Sequence, residues 1–189
     1  MKIGLFFGSF NPIHIGHLII ANIMAETTDI DKVWFVVSPQ NPFKKRNTLL
    51  PEFDRLDLVR QAIFDDYNMD VCDVEFHMPQ PSYTVDTLAY LMDKHPKNEF
   101  KLIIGEDNLS HFHKWKNYEQ ILNHQLYVYP RPNAHYTELH NHAQVKMVNS
   151  PMIDISATFI RKCIKNNQSI KYLVPEVVEE LILSKGFYR

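Results

Sequence analysis

Two histidines three residues apart, His14 and His17, stand in a glycine-bounded turn, Gly8-Ser9-Phe10-Asn11-Pro12-Ile13-His14-Ile15-Gly16-His17. If His14 opens a helix, His17 lies one turn later on the same side. A helix start presents N–H groups and a partial positive charge, which suits phosphate. Imidazole adds a donor when neutral and a full charge when protonated, while Gly8 and Gly16 let backbone approach a ligand closely. The same residues also fit a glycine turn with two capping or surface histidines. A metal site is disfavoured, because His-x-x-His supplies two ligands and catalytic zinc usually takes three from protein.

A second candidate anion site lies far along the chain, in Ser156-Ala157-Thr158-Phe159-Ile160-Arg161. Ser156 is placed to cap a helix, and Thr158 and Arg161, three apart, can face one ligand. The bland alternative is an ordinary cap with a surface arginine. Between the two sites, Gly105-Glu106-Asp107 follows an apolar run, where a carboxylate can accept ribose hydroxyls or cap the next helix. Tyr83 and Thr84 fall at another expected helix start behind Ser82, read as its N-cap. His111, Phe112, His113 and Trp115 fit either a ring-stacking surface or a small satellite core. Arg131, in Pro130-Arg131-Pro132, can reach a phosphate. Lys44, Lys45 and Arg46 are either a solvated loop tip or a basic arm over phosphates.

These residues need a scaffold, and the apolar pattern supplies one. Residues 1–7, 33–37, 100–104 and 125–129 read as buried strands of a parallel sheet. Val71, Val74 and Phe76 suggest a further strand, and residues 145–148 a short one. Helical periods begin near His14, Pro51, Ser82, Tyr118, Ser156 and Pro175. Phe53, Leu56, Val59 and Ile63 are expected on one buried helix face, and Val177, Val178, Leu181 and Ile182 on another. Strand–turn–helix alternation of this kind places ligands beyond the strand carboxyl ends. Residues 109–150 are expected to include a small appended region, with His135, His140 and His142 on the surface.

The chain has 189 residues, 45% hydrophobic and 22% charged, with a formal net charge of -2. That is enough for one domain with a sizeable core, expected to span 1–189 with a C-terminal helical portion at about 156–189. The charge balance argues against broad affinity for nucleic acid. No run approaches the 18 apolar residues of a membrane span. Cys72 and Cys163 form no CxxC pair, which with the lack of a secretory pattern gives an expected cytoplasmic location. Oligomeric state is not legible in the sequence.

Taken together, the segments Gly8–His17, Ser38-Pro39-Gln40-Asn41-Pro42-Phe43-Lys44, Ser82-Tyr83-Thr84-Val85-Asp86-Thr87-Leu88, Gly105-Glu106-Asp107, Trp115 and Ile155–Arg161 resemble the bacterial nicotinate mononucleotide adenylyltransferase family of the nucleotidylyltransferase superfamily. They occur in family order over nearly the whole chain. His-x-Gly-His alone marks the superfamily; the Ser-Tyr-Thr-x-Asp-Thr stretch, Gly-x-Asp and Trp115 narrow the match to the pyridine nucleotide branch. Three positions depart from the common pattern: Phe7 for a second glycine, Asn11 for aspartate, and Phe43 for the histidine before Lys44.

The resemblance implies an α/β, Rossmann-like nucleotidylyltransferase fold, mostly parallel, with helices on both faces. It implies adenylyl transfer from ATP, with Mg2+, to nicotinate mononucleotide, releasing pyrophosphate. His14, His17, Lys44 and Arg161 would be catalytic. Gly8, Ser9, Phe10, Gly16, Gly105, Asp107, Ser156 and Thr158 would join His14, His17 and Arg161 around ATP. Asn11, Lys44, Tyr83, Thr84, Trp115 and Arg131 would hold the mononucleotide, and no metal is expected on the protein itself. Competing expectations are the same transfer to nicotinamide mononucleotide or phosphopantetheine, and a nucleotide-binding sensor. An acyl-tRNA ligase shares the His14–His17 motif, but the chain is short for it and lacks a Lys-Met-Ser-Lys-Ser loop.

Overall fold

The computed structural model describes residues 1–39 and 49–189. Lys44, Phe43 and the expected basic arm lie outside the described residues. Six strands form one parallel sheet in the order β3-β2-β1-β4-β5-β6: β1 Lys2–Gly8, β2 Lys32–Val37, β3 Met69–Cys72, β4 Glu99–Gly105, β5 Leu126–Tyr129 and β6 Val145–Met147. The central pair is β1 and β4, with Leu5 opposite Leu102 and Phe6 opposite Ile103.

Helices cover both faces, and strand alternation decides which side chain meets which layer. Phe6, Val33, Phe35, Val37 and Ile103 enter one core with α1 (Ile15–Thr27), α2 (Glu52–Ala62), α6 (Ala157–Lys165) and α7 (Glu176–Lys185). Ile3, Leu5, Val36, Phe100, Leu102 and Ile104 enter the other, with α3 (Thr84–Lys94), the short α4 (Glu106–Leu109) and α5 (Tyr118–Ile121). Ile160, Ile164, Val178 and Ile182 belong to the first core, so the C-terminal helices pack on the same sheet as the N-terminal unit.

Helix ends follow local chemistry. Ser156 caps α6 by accepting from the Phe159 N–H at 3.2 Å. Pro175 precedes α7, and Gly186 ends it at φ +67°, a left-handed position that glycine tolerates. Ser82 does not cap α3; Tyr83 occupies that position without a side-chain bond. Ser82 is instead buried and bonded to Glu75. Neither Glu106 nor Asp107 is the α4 N-cap, which is Gly105, and Glu106 pairs with His140 at 3.2 Å.

Five further expectations are revised. Val74 and Phe76 lie not in a strand but in a 3₁₀ turn, Val74–His77, that follows β3. Phe53 is 65% exposed and Arg55 takes its place among the buried residues of α2. Val177 also faces outward, leaving Val178 and Ile182 inside. Residues 109–150 are not an appendage: β5 and β6 complete the main sheet, and Phe112 and Ile121 are fully part of its second core. Within that stretch the His140 side chain is 8% exposed, held by Thr137 and Glu106, rather than a surface histidine.

Candidate active site

The strand order reverses between β1 and β4, because β2 and β3 lie to one side and β5 and β6 to the other. Connections leaving those two strands part company there, and a crevice opens at their carboxyl ends. The structure has a cleft of about 550 Å³ at this point, within the range that holds a nucleotide-sized ligand. Every site residue expected from the sequence lines it, apart from Lys44, which lies outside the described residues.

The β1 turn forms one wall. Phe10 adopts φ +42° and folds its ring back over Gly8, where a Cβ would sit 2.7 Å from the ring. Phe10 is thus core, 2% exposed and edge-on to His17 at 5.0 Å; its side chain supports the site from below. His14 is the N-cap of α1, and its ring stacks on His17 with centroids 3.7 Å apart. Gly16 leaves room for that ring: a Cβ there would come within 3.1 Å of His14 Nδ1. The His14 backbone N–H donates to His17 Nδ1 at 3.3 Å. In the neutral ring this assigns the His17 proton to Nε2, a donor.

The helix amides are less available than the sequence suggests. The Ile15 N–H donates to Leu173 O at 3.0 Å and the His17 N–H to His14 O at 2.9 Å. Phosphate recognition at this wall therefore leans on side-chain donors. His14 is buried and its Nδ1 has no hydrogen-bond partner among the described residues. Burial, with a smaller push from Arg131, brings its pKa down to about 4. His14 is accordingly a neutral donor at pH 7 in the free protein, not the standing positive charge that one sequence reading allowed.

The opposite wall comes from α6. Arg161 donates through Nη1 to the Asn11 carbonyl at 2.7 Å and through Nη2 to Thr158 Oγ1 at 3.2 Å. The two candidate anion sites, 150 residues apart at this bond, are one surface. The Asn11 side chain accepts from the Leu50 N–H at 3.1 Å, so asparagine at this position anchors the segment before α2.

Gly105 and Asp107 stand at the end of β4, with the Asp107 carboxylate folded across Gly105. Arg131 lies beside them and donates to the Ile153 carbonyl at 3.2 Å. Tyr83, Thr84 and Trp115 line the same cleft from α3 and from the turn before α5. Trp115 packs on Phe112 at 4.9 Å, so the aromatic cluster is at once a satellite of the core and a wall of the cleft. Lys114 and Lys116 flank Trp115 and line the cleft too. Lys116 sits 4.8 Å over the Tyr83 ring and pairs with Asp86 at 2.8 Å.

Sequence reasoning missed two buried groups at the site, Arg55 behind it and Glu75 in its lining. Arg55 is fully buried and gives all its bonds to carbonyls: Leu50 through Nε, Ser9 and Ser38 through Nη1, and Pro39 through Nη2, at 2.6–2.9 Å. Glu75 is 3% exposed and accepts from Thr87 Oγ1 at 2.9 Å. The signal for Arg55 is the helical face it shares with Val59, against the usual exposure of a charged residue. For Glu75 the local pattern gave no signal. Among the described residues no group of three or more His, Cys, Asp or Glu could hold a metal ion. The donor set of imidazole, hydroxyl and guanidinium fits phosphate oxygens instead.

A six-stranded parallel sheet with two walls of imidazole, hydroxyl and guanidinium groups at its switch point fits a nucleotidyl-transfer class, and the cytidylyltransferase-like family model matches residues 5–163. Curated relatives narrow it. A protein of Cytophaga hutchinsonii named "probable nicotinate-nucleotide adenylyltransferase" is 61% identical over 189 residues, covering 100% of this chain and 98% of its own. A protein of the same name from Flavobacterium psychrophilum is 55% identical, covering 100% of both chains. The chain belongs to the nicotinate-nucleotide adenylyltransferase family. The fold agrees with the Plasmodium falciparum nicotinic acid mononucleotide adenylyltransferase complexed with NaAD, at TM-score 0.84 and 20% identity over 99% of this chain and 97% of that one.

Proposed function

We propose that this chain transfers the adenylyl group of ATP to nicotinate mononucleotide, forming nicotinate adenine dinucleotide and pyrophosphate in NAD biosynthesis. The observation that carries the reading is the Arg161–Asn11 bond, which joins the His14–His17 wall to the Thr158–Arg161 wall over one cleft. The far end of that cleft offers the aromatic and hydroxyl groups of Tyr83, Thr84 and Trp115 to a flat ring.

In this reading an oxygen of the mononucleotide phosphate attacks the α-phosphorus of ATP in line. The new P–O–P bond forms as the α–β bridge breaks, and pyrophosphate leaves with the bonding pair. The attacking phosphate is already ionised, so the protein need supply no base and no nucleophile. His17 Nε2–H, His14 as a neutral donor, and the Arg161 guanidinium meet the charge that builds on the transferring and leaving groups. Ser156 and Thr158 fix the start of α6 under the triphosphate. Ser9, Gly8, Phe10 and Gly16 shape the turn. Gly105 and Asp107 address the adenosine sugar or base, and Asn11, Lys44 and Arg131 the phosphates where the two substrates meet. Mg2+ is expected to enter on the ATP phosphates, where it neutralises charge.

We further propose one domain over 1–189, with 156–189 its C-terminal helical portion; the shared first core supports this. Two free cysteines, with no helix among the described residues long and apolar enough to cross a membrane, support a cytoplasmic location.

The test is pyrophosphate release from ATP and Mg2+ with nicotinate mononucleotide, its amide counterpart and phosphopantetheine in parallel. Turnover with the acid alone is expected. Equal turnover with the amide would remove the ring preference, and silence with all three in protein that binds ATP would favour a sensor.

A further inference from the structure

In the lining of the cleft beside Tyr83 and Thr84, three hydroxyls converge on one buried carboxylate. Thr87 Oγ1 donates to Glu75 Oε1 at 2.9 Å, and the hydroxyls of Ser38 and Ser82 interact with the same carboxylate closely enough to lower its pKa. These donors come from separate pieces of the fold. Ser38 ends the β2 strand, Ser82 immediately precedes Tyr83, and Thr87 lies in the first turn of α3. Thr87 also holds the Tyr83 carbonyl by its N–H at 3.0 Å, leaving its one hydroxyl proton to the shorter bond with Glu75.

The connection continues beyond Ser38. Its carbonyl accepts from Arg55 Nη1 at 2.8 Å, and the same nitrogen donates to the Ser9 carbonyl at 2.6 Å in the phosphate turn. A continuous run of buried and half-buried polar contacts therefore spans from Thr87 through Glu75, Ser38 and Arg55 to Ser9. Its Thr87 end is fully buried and its Ser9 end lies in the cleft lining, and each member satisfies its neighbour, the condition under which a polar network specifies geometry rather than costing stability.

We propose that Glu75 is a positioning residue for the acceptor mononucleotide: by gathering the Ser38, Ser82 and Thr87 hydroxyls it fixes the Ser82-Tyr83-Thr84 start of α3, and through Ser38 and Arg55 it sets that ring end against the phosphate turn at Ser9. The inference rests on the adenylyl-transfer reading above. A carboxylate suits the task because it accepts only, and three donors need an acceptor with spare lone pairs. Burial pushes its pKa up and the hydroxyls oppose this. Loss of the carboxylate frees α3 first, since Arg55 keeps its carbonyl partners at Ser9, Pro39 and Leu50.

The experiment is steady-state kinetics of Glu75→Gln and Ser82→Ala, varying ATP and nicotinate mononucleotide separately, with thermal melts alongside. For Glu75→Gln the acceptor KM should rise about tenfold while the ATP KM stays within about twofold. Ser82→Ala removes one donor of three and should move the acceptor KM the same way by about threefold, which keeps the test open if Glu75→Gln folds poorly. A lowered melting temperature with both KM values unchanged, or with both rising in proportion, would reduce Glu75 to a structural residue and overturn the inference. Wild-type protein is the control: if it makes no dinucleotide, the functional reading falls and this inference with it, whereas active wild type with unmoved variants overturns this inference alone.

Discussion

The rings of His14 and His17 are stacked 3.7 Å apart at 25°, and the backbone of the first aims the second by donating to its Nδ1. One histidine is thereby a buried, neutral support and the other a directed donor. The pair divides a task that the sequence motif presents as symmetrical.

His17 is placed to meet charge that appears during transfer. Its replacement by Ala should lower kcat by about 10²-fold or more, as for loss of a principal transition-state donor. His17→Asn, which keeps a side-chain amide donor, should recover part of that loss. Steady-state pyrophosphate release at saturating substrates measures both, and an unchanged kcat in His17→Ala would remove His17 from the chemistry.

His14 carries a pH signature in stability. Its folded pKa is about 4, against an unfolded value near 6.5. Between those values the unfolded chain holds a proton that the folded protein does not, so lowering the pH favours unfolding. The His14 contribution is intact above pH 6.5 and falls by about 3 kcal/mol by pH 4. His14→Asn should flatten that part of the profile. Urea unfolding of both proteins from pH 4 to 7 gives the difference directly, and parallel curves would show that His14 titrates normally.

Arg161 works through geometry as well as charge. Its two terminal nitrogens reach different partners, Asn11 and Thr158, which a lysine ammonium cannot reproduce. Arg161→Lys should lower kcat/KM by about tenfold to 10²-fold, with Arg161→Ala lower again. A lysine variant as active as wild type would mean that charge alone suffices at this wall.

Much of this architecture was legible in residue types. The parallel strands announced themselves as apolar runs, and Ser156, Pro175 and Gly186 marked helix ends by their backbone preferences. Glycine and histidine spacing marked the β1 turn that lines the cleft. What the sequence concealed was tertiary. Glu75 lies in a segment whose apolar alternation suggested a strand, and only the approach of three hydroxyls makes its burial tolerable. Arg55 looks like a surface helix cation until carbonyls from three loops surround it. His14's neutrality likewise follows from burial and from proximity to Arg131, neither of which its motif shows.

The opposite edge of the sheet offers a control with its own pH window. Asp29, just after α1, bonds to Lys101 Nζ at 2.7 Å, to Lys2 Nζ at 2.8 Å and to the Tyr127 hydroxyl. Lys101 is nearly buried on β4, so this carboxylate is its main compensation, with Glu99 a second at 3.2 Å. Hydrogen bonds from Lys101, Lys2 and Tyr127 hold the Asp29 carboxyl well below the usual carboxylate range. Its stabilisation is therefore present above the unfolded value near 3.9 and is lost as the pH falls further. Asp29→Asn should cost about 2 kcal/mol at neutral pH, less than breaking a fully buried pair, because Glu99 remains and Asp29 is partly solvated. That cost should stay level from pH 5 to 7 and shrink below about pH 4, outside the window assigned to His14. Because the cluster lies away from the cleft, kcat should not change. A constant cost down to pH 2.5 would show that hydrogen-bond geometry, rather than the charge of Asp29, keeps Lys101 in place.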